Sequence, residues 1–282
     1  MANVGTISSI ANKDWVIFSD RLNHASIIDG CRLSKAKIVV YDHCDAADLA
    51  RKVQGYHNRP ALIVTDGLFS VDGDIAPLPA LVEIAQKNNI LLMVDDAHAT
   101  GVLGLSGGGT ADYFGLRDEI DIQMGTLSKA LASEGGFIAG KRSLIDYLAN
   151  TARSFIFSTA LSPAMIAVSL KALEIVRTEP QRRETLRANT AWFRAELRAT
   201  SFDVPENEAP IISIILGHPD LAVSFSDKLM ERNIFVSAIR PPTVPPGTSR
   251  LRISIMATHT KDDLEQALCC IVQVGRELDT VK

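Results

Sequence analysis

Two short stretches of this 282-residue chain end apolar runs with residues able to do chemistry. One is Val94-Asp95-Asp96-Ala97-His98, where a buried-looking run stops on two carboxylates and an imidazole. Such groups exchange protons, pair with protonated nitrogens, or ligate metal. A single Asp at such a place is ordinarily a helix cap or a solvated turn. No other His/Cys/Asp/Glu cluster has ligand spacing, so no metal site is expected. The other stretch is Gly125-Thr126-Leu127-Ser128-Lys129-Ala130-Leu131, following the run from Ile120 to Met124. A lysine there is most often a solvated loop residue. If burial desolvates it, the neutral amine is favoured, which is the form that attacks a carbonyl. Asp95 and Lys129 lie on separate strand ends, yet both suit one cofactor: a pyridine nitrogen needs an anionic partner and an aldehyde needs a lysine.

The elements that must position these groups follow from hydrophobic patterning. Val16–Phe18, Ile38–Tyr41, Ala61–Val64 and Ile90–Val94 are continuous apolar runs, as expected of strands buried on both faces of a parallel sheet. Between them, 25–33, 46–53 and 78–86 carry helical spacing, with Leu78, Leu81, Ile84 and Ala85 forming one stripe. Alternation of this kind predicts an α/β doubly wound sheet with its ligand site at the strand C-termini. From Ser162 the pattern changes. Helices are expected over 165–176 and 184–198, then a strand (211–216), a helix (221–231), two strands (235–239 and 251–255) and a last helix (262–278). This divides the chain into a large domain, 1–161, and connecting helices with a smaller α+β domain, 162–282. The segment 240–249 is too rich in proline for regular structure.

Composition narrows the function classes. The chain is 46% hydrophobic and 22% charged, with a net charge of −4, which suggests a soluble globular protein and gives no reason to expect nucleic acid or an anionic membrane as partner. No apolar run reaches the roughly 20 residues of a membrane span, and the sequence after Met1 lacks a basic-then-apolar signal pattern, so a cytoplasmic location is expected. Cys31, Cys44, Cys269 and Cys270 form no CxxC pair and are expected to be free thiols.

The run Asp20-Arg21-Leu22-Asn23-His24-Ala25-Ser26, followed by Thr65 to Asp74, resembles the α-oxoamine synthase family of pyridoxal-phosphate enzymes. So do Val94–His98, Gly125–Lys129 and Ala238–Pro245, and the motifs follow one another in family order over nearly the whole chain. The resemblance implies a fold-type-I, aspartate aminotransferase-like transferase with a mostly parallel sheet in a large domain and a smaller C-terminal α+β domain. It implies pyridoxal 5'-phosphate as cofactor, an amino acid and an acyl-CoA as substrates, and a homodimer with a shared active site. Carried over by residue, Lys129 would hold the cofactor covalently, Asp95 would pair with its ring nitrogen, His98 would bond its ring oxygen, and His24 would lie over the ring face. Ser70 and Thr126 would hold cofactor oxygens, and Ser158 and Thr159 would reach the phosphate across the dimer. Arg252 would grip the amino-acid carboxylate, because a guanidinium fork takes two oxygens at once; Thr243 would lie nearby.

Within the family, Ala238 to Arg252 most resembles the branch joining alanine to a pimeloyl thioester. Glycine with acetyl-CoA is the alternative, and Ala99, which also occurs in that second branch, leans slightly toward it. The chain begins within what resembles a family motif, Met1-Ala2-Asn3-Val4-Gly5-Thr6, so roughly the first hundred residues of a family member are expected to be absent from it, through a fragment, a misplaced start or a shortened protein. A non-catalytic fragment or an inactive dimer partner is therefore a further alternative. Gly107-Gly108-Gly109 lacks the lysine and hydroxyl of a phosphate loop and is expected to be a flexible turn.

Overall fold

The computed structural model describes residues 1–281 as two compact units. The first comprises Met1–Phe69 and Ile75–Pro180; the second comprises Ser70–Asp74 and the residues from Gln181 on.

In the first unit the elements run α1 (Ala2–Ile10), β1 (Val16–Asp20), α2 (Ala25–Ser34), β2 (Lys37–Tyr41), α3 (Ala46–Val53), β3 (Ala61–Asp66), α4 (Leu78–Asn88) and β4 (Leu91–Asp95). They continue with α5 (Thr110–Tyr113), β5 (Ile122–Thr126), β6 (Gly136–Gly140), α6 (Arg142–Thr151), α7 (Arg153–Ile156) and α8 (Pro163–Thr178). The sheet order is β2-β1-β3-β4-β5-β6, with every pairing parallel except β5–β6. The apolar runs are continuous because both sheet faces are covered. Val16, Phe18, Ile63, Leu92 and Val94 join Leu49, Leu78 and Leu81 of α3 and α4 in one core. The intervening Ile17, Leu62, Val64 and Met93 join Ile7, Ile27 and Cys31 of α1 and α2 in the other. Side chains alternate faces with period two, so a one-residue slip would exchange the two cores.

The second unit holds α9 (Gln181–Ala199), β7 (Ile211–Gly217), α10 (Pro219–Met230), β8 (Ser237–Ile239), β9 (Ser249–Ser254) and α11 (Lys261–Glu277). Its antiparallel sheet, in the order β7-β9-β8, packs Ile212, Ile214 and Leu251 with Phe193, Phe225 and Ile271. Thr260 and Asp263 close a reciprocal capping box at the start of α11.

Several features depart from the pattern read in the sequence. β5 starts at Ile122 rather than Ile120, because Asp121 turns its carboxylate to the Leu92 amide (2.9 Å). The edge strand β6 and the helices α1 and α6 carried no expectation. Among the described residues no helix is long and apolar enough to cross a membrane.

Candidate active site

Parallel strands end on one edge of a sheet, so residues at strand C-termini gather there however far apart they lie in sequence. Asp20 ends β1, Asp66 ends β3, Asp95 ends β4 and Thr126 ends β5. Asp66 and Asp95 stand opposite each other in register, and Asp95 pairs with Met124 of β5. The turn after β1 carries His24, whose backbone N–H donates to Asp66 Oδ2 (2.7 Å). The turn after β4 carries His98, and the loop after β5 carries Lys129.

The two neighbouring carboxylates of β4 turn to different partners. Asp95, 2% exposed, accepts from the Ala97 amide on Oδ1 (2.9 Å) and from Asn3 Nδ2 on Oδ2 (2.6 Å). Asp96 accepts from the Thr110 amide (2.9 Å) and hydroxyl (2.5 Å) at the start of α5. This second contact depends on Gly109: at φ +89°, a side chain there would put its Cβ 2.2 Å from Asp96 Oδ2. The glycine run thus packs against a carboxylate and is more constrained than the flexible turn expected.

Burial sets the electrostatics of this edge. Desolvation pushes Asp96 up from 3.8 to about 6, against the opposing hydrogen bonds from Thr110. Asp66 is raised well above the usual carboxylate range, first by desolvation and then by the charge of Asp95. The His24 amide and the Lys129 ammonium pull it the other way. Lys129 is therefore within electrostatic reach of the carboxylate pair. Its side chain is exposed.

The loop that carries Lys129 is tied to its own flanks. Leu127 N–H donates to Gly135 O (3.0 Å) and Ser133 N–H to Leu127 O (2.8 Å). Thr126 Oγ1 donates to Gly135 O (3.0 Å) and lies 2.8 Å from Ser128 Oγ, putting two hydroxyls at the end of β5.

The remaining expected site residues belong to other segments. Ser158 and Thr159 are exposed in the segment between α7 and α8. Ser70, Thr243 and Arg252 belong to the second unit. There Arg252 Nε donates to Ser70 O (2.6 Å) and its Nη1 to Ser254 Oγ (2.9 Å). Desolvation alone lowers its pKa, with no carboxylate opposing it. A half-buried guanidinium held by neutral oxygens retains capacity for an anion. Thr243 is exposed in the proline-rich loop.

Asn3 and Asp66 were not singled out from the sequence. Asp66 carried the same signal as Asp95, an apolar strand ending on a carboxylate. Asn3 carried none, since its contact with Asp95 spans 92 residues. A cluster of Asp20, His43 and Cys44 also brings possible ligand atoms within 4.8 Å. Asp20 faces His43 Nδ1 (2.9 Å) whereas Cys44 Sγ lies by Nε2 (3.6 Å).

The same sheet and helices occur in solved structures. The serine palmitoyltransferase of S. paucimobilis, solved with bound PLP–myriocin, superposes with a TM-score of 0.95 at 31% identity, over 99% of this chain and 71% of that one. The 8-amino-7-oxononanoate synthase of Francisella tularensis gives 0.84 at 33% identity, over 98% and 79%. The architecture is fold type I of the pyridoxal-phosphate enzymes. The family profile of aminotransferase class I and II matches residues 2–271, and the chain belongs to that family. Among its relatives, the 8-amino-7-oxononanoate synthase of Lysinibacillus sphaericus is 53% identical over 282 residues, which is 100% of this chain and 72% of that protein.

Proposed function

We propose that this chain is a pyridoxal-phosphate-dependent acyltransferase that condenses L-alanine with a pimeloyl thioester to 8-amino-7-oxononanoate, a step in biotin biosynthesis. One observation carries the reading. A buried carboxylate, Asp95, and the loop lysine Lys129 share the C-terminal edge of a parallel sheet in a chain 53% identical to such a synthase. The donor set fits the cofactor. Asp95 has used one acceptor position on each oxygen and keeps others for a protonated ring nitrogen. Lys129 offers an amine, and Thr126 and Ser128 offer hydroxyls.

When bound, pyridoxal phosphate supplies an aldehyde that captures amines and a ring that draws electron density from Cα. The protein's own residues do the rest. Asp95 would keep a proton at the ring nitrogen, His98 would hydrogen-bond the ring oxygen, and His24 would lie against the ring. Thr126, Ser70 and, from a second subunit, Ser158 and Thr159 hold the cofactor's other oxygens. Arg252 binds the alanine carboxylate and so fixes the direction of the Cα–H bond, while Lys129 accepts the Cα proton as general base. A bond forms between Cα and the acyl carbon as the thiolate of the carrier leaves and takes a proton from solvent; the amino-acid carboxylate then departs as carbon dioxide, and Lys129 returns its proton to the electron pair left at Cα. The enzyme works in the cytoplasm as a homodimer. Phe155, Phe157 and Leu170 support this partner, being 69%, 73% and 63% exposed on the first unit, a hydrophobic surface suited to burial against another chain.

The test is a comparison of thioester pairs. Pimeloyl-CoA with alanine should condense faster than acetyl-CoA with glycine, and Lys129→Ala should abolish both the condensation and the visible absorbance of bound cofactor. A faster acetyl-CoA and glycine reaction would replace this reading with a glycine acetyltransferase.

A further inference from the structure

Asn3 lies on α1, is 1% exposed, and touches two groups of the edge through one atom. Its Nδ2 donates to Asp95 Oδ2 (2.6 Å) and to Ser26 Oγ (2.9 Å). The amide cannot be turned around without facing its oxygen to a carboxylate, so the direction of both bonds is fixed. Ser26 Oγ, accepting from Asn3, has its own proton for His24 Nδ1, 2.8 Å away. The Ser26 backbone N–H also points at His24 Nδ1, but at a longer 3.2 Å, so the hydroxyl is the stronger of the two donors and its removal loosens the hold on the tautomer. Nδ1 is thus an acceptor, and the neutral ring carries its proton on Nε2.

A close helix contact places the amide. At Gly30 of α2 an added Cβ would lie 3.2 Å from the Asn3 carbonyl and 3.1 Å from Ile7, so α1 packs here because α2 has no side chain. The arrangement leaves Asn3 Oδ1 buried with no partner among the described residues. Leaving a buried acceptor unsatisfied has a cost. What the site gains is two protons from one short side chain: Asp would repel Asp95, and an apolar residue would leave Oδ2 unsupported.

We infer that Asn3 and Ser26 form a positioning relay that fixes the orientation of the Asp95 carboxylate and the tautomer of His24 together. Neither is a catalytic residue; each acts through the group it holds. His24 is left with only an N–H to offer at its far nitrogen, making it a hydrogen-bond donor to whatever lies over it. The significance of Asp95 rests on the cofactor reading above, but the relay itself is built by the chain alone.

The test uses the full chain with pyridoxal phosphate, following cofactor affinity by visible absorbance and the His24 ring nitrogens by ¹⁵N NMR, assigned by loss of the signal in His24→Gln. Wild type should show an unprotonated Nδ1. Asn3→Ala should weaken cofactor affinity about tenfold, the scale of one hydrogen bond to a charged group, and turn the His24 signal into a mixture of tautomers. Ser26→Ala should produce the tautomer mixture with a smaller loss of affinity, and Ser26→Thr, which keeps the hydroxyl, should restore the wild-type signal. A merely structural Ser26 would move neither signal. Unchanged affinity and an unchanged His24 signal in Asn3→Ala would overturn the relay; if that variant does not fold, an unchanged signal in the half-buried Ser26→Ala would do so. Failure of wild type to bind cofactor would instead remove the cofactor reading, while the NMR comparison, which needs no ligand, would still decide the relay.

Discussion

At the C-terminal edge of its parallel sheet the first unit buries Asp20, Asp66, Asp95 and Asp96, whereas the second unit buries Arg194 and Arg250 and half-buries Arg252. Each set is held largely by neutral groups. Backbone amides, Asn3 and Thr110 serve the carboxylates. Carbonyls and Asn207 serve Arg194, and Ser70 O and Ser254 Oγ serve Arg252. Arg250 differs, being paired with Asp72 inside its own unit. Burying charge of one sign is unfavourable, and a purely structural domain gains nothing from it. The contrast separates charges that are closed, such as Arg250, from those that keep capacity for a ligand: Asp95 for a protonated nitrogen and Arg252 for a carboxylate.

Substitutions at three positions can break or sharpen that contrast. The largest effect is expected from Asp95→Asn, which keeps the shape but removes the anion. Turnover with saturating cofactor should fall by roughly a thousandfold, the scale of removing a preorganised electrostatic partner. Near-normal turnover would mean that a neighbouring carboxylate substitutes. Asp96 is poorly placed to do so, since both its oxygens face Thr110. Next in size is Arg252→Ala, which should raise the KM for alanine and for glycine alike by about a hundredfold, a few kcal/mol for a desolvated charge contact. Arg252→Lys should recover only part, because a point charge replaces a two-pronged fork. If the two amino acids are affected unequally, Arg252 reads more than the carboxylate they share.

The smallest effect concerns folding. Asp96 holds its proton more tightly folded, at about 6, than at its ordinary 3.8. Between those values folding takes up a proton, so stability falls as pH rises, and the penalty is complete above pH 6. Asp96→Asn can keep both contacts to Thr110 without the charge. It should stabilise the chain by up to about 3 kcal/mol above pH 6 and change little below pH 4, as read from denaturant midpoints at the two extremes. A destabilised variant at pH 7 would show that the Thr110 contacts require a carboxylate.

Much of this was legible in the sequence wherever local pattern carried the information. Continuous apolar runs announced β1, β3 and β4 because strands covered on both faces need no polar side, whereas β2, read in the same way, is an edge strand that leaves Val40 exposed; abrupt polar endings marked Asp95. Lys129 stood out by following such a run. The edge strand β6 was hidden because Gly136 and Gly140 bound a short, largely exposed segment with no alternation to detect. Helix α1 was hidden because Asn3, Gly5 and Thr6 are buried along with Ile7, which removes the polar-versus-apolar stripe that marks a surface helix. The partner of Asp95 was out of reach for a different reason: a bond between α1 and β4 exists only after the sheet is ordered, and neither sequence segment encodes the other.

The register of Asp66 opposite Asp95 also bears on how the chain assembles. Aligning β3 with β4 brings two carboxylates together before anything about the pairing neutralises them, so repulsion accompanies the nonlocal contacts that already slow parallel sheets. The β5–β6 hairpin, by contrast, closes between near neighbours in the chain and can present the Lys129 loop early. An ammonium within reach of the pair would then ease the last alignment, giving the lysine that is proposed to hold the cofactor an earlier task as a folding counter-ion.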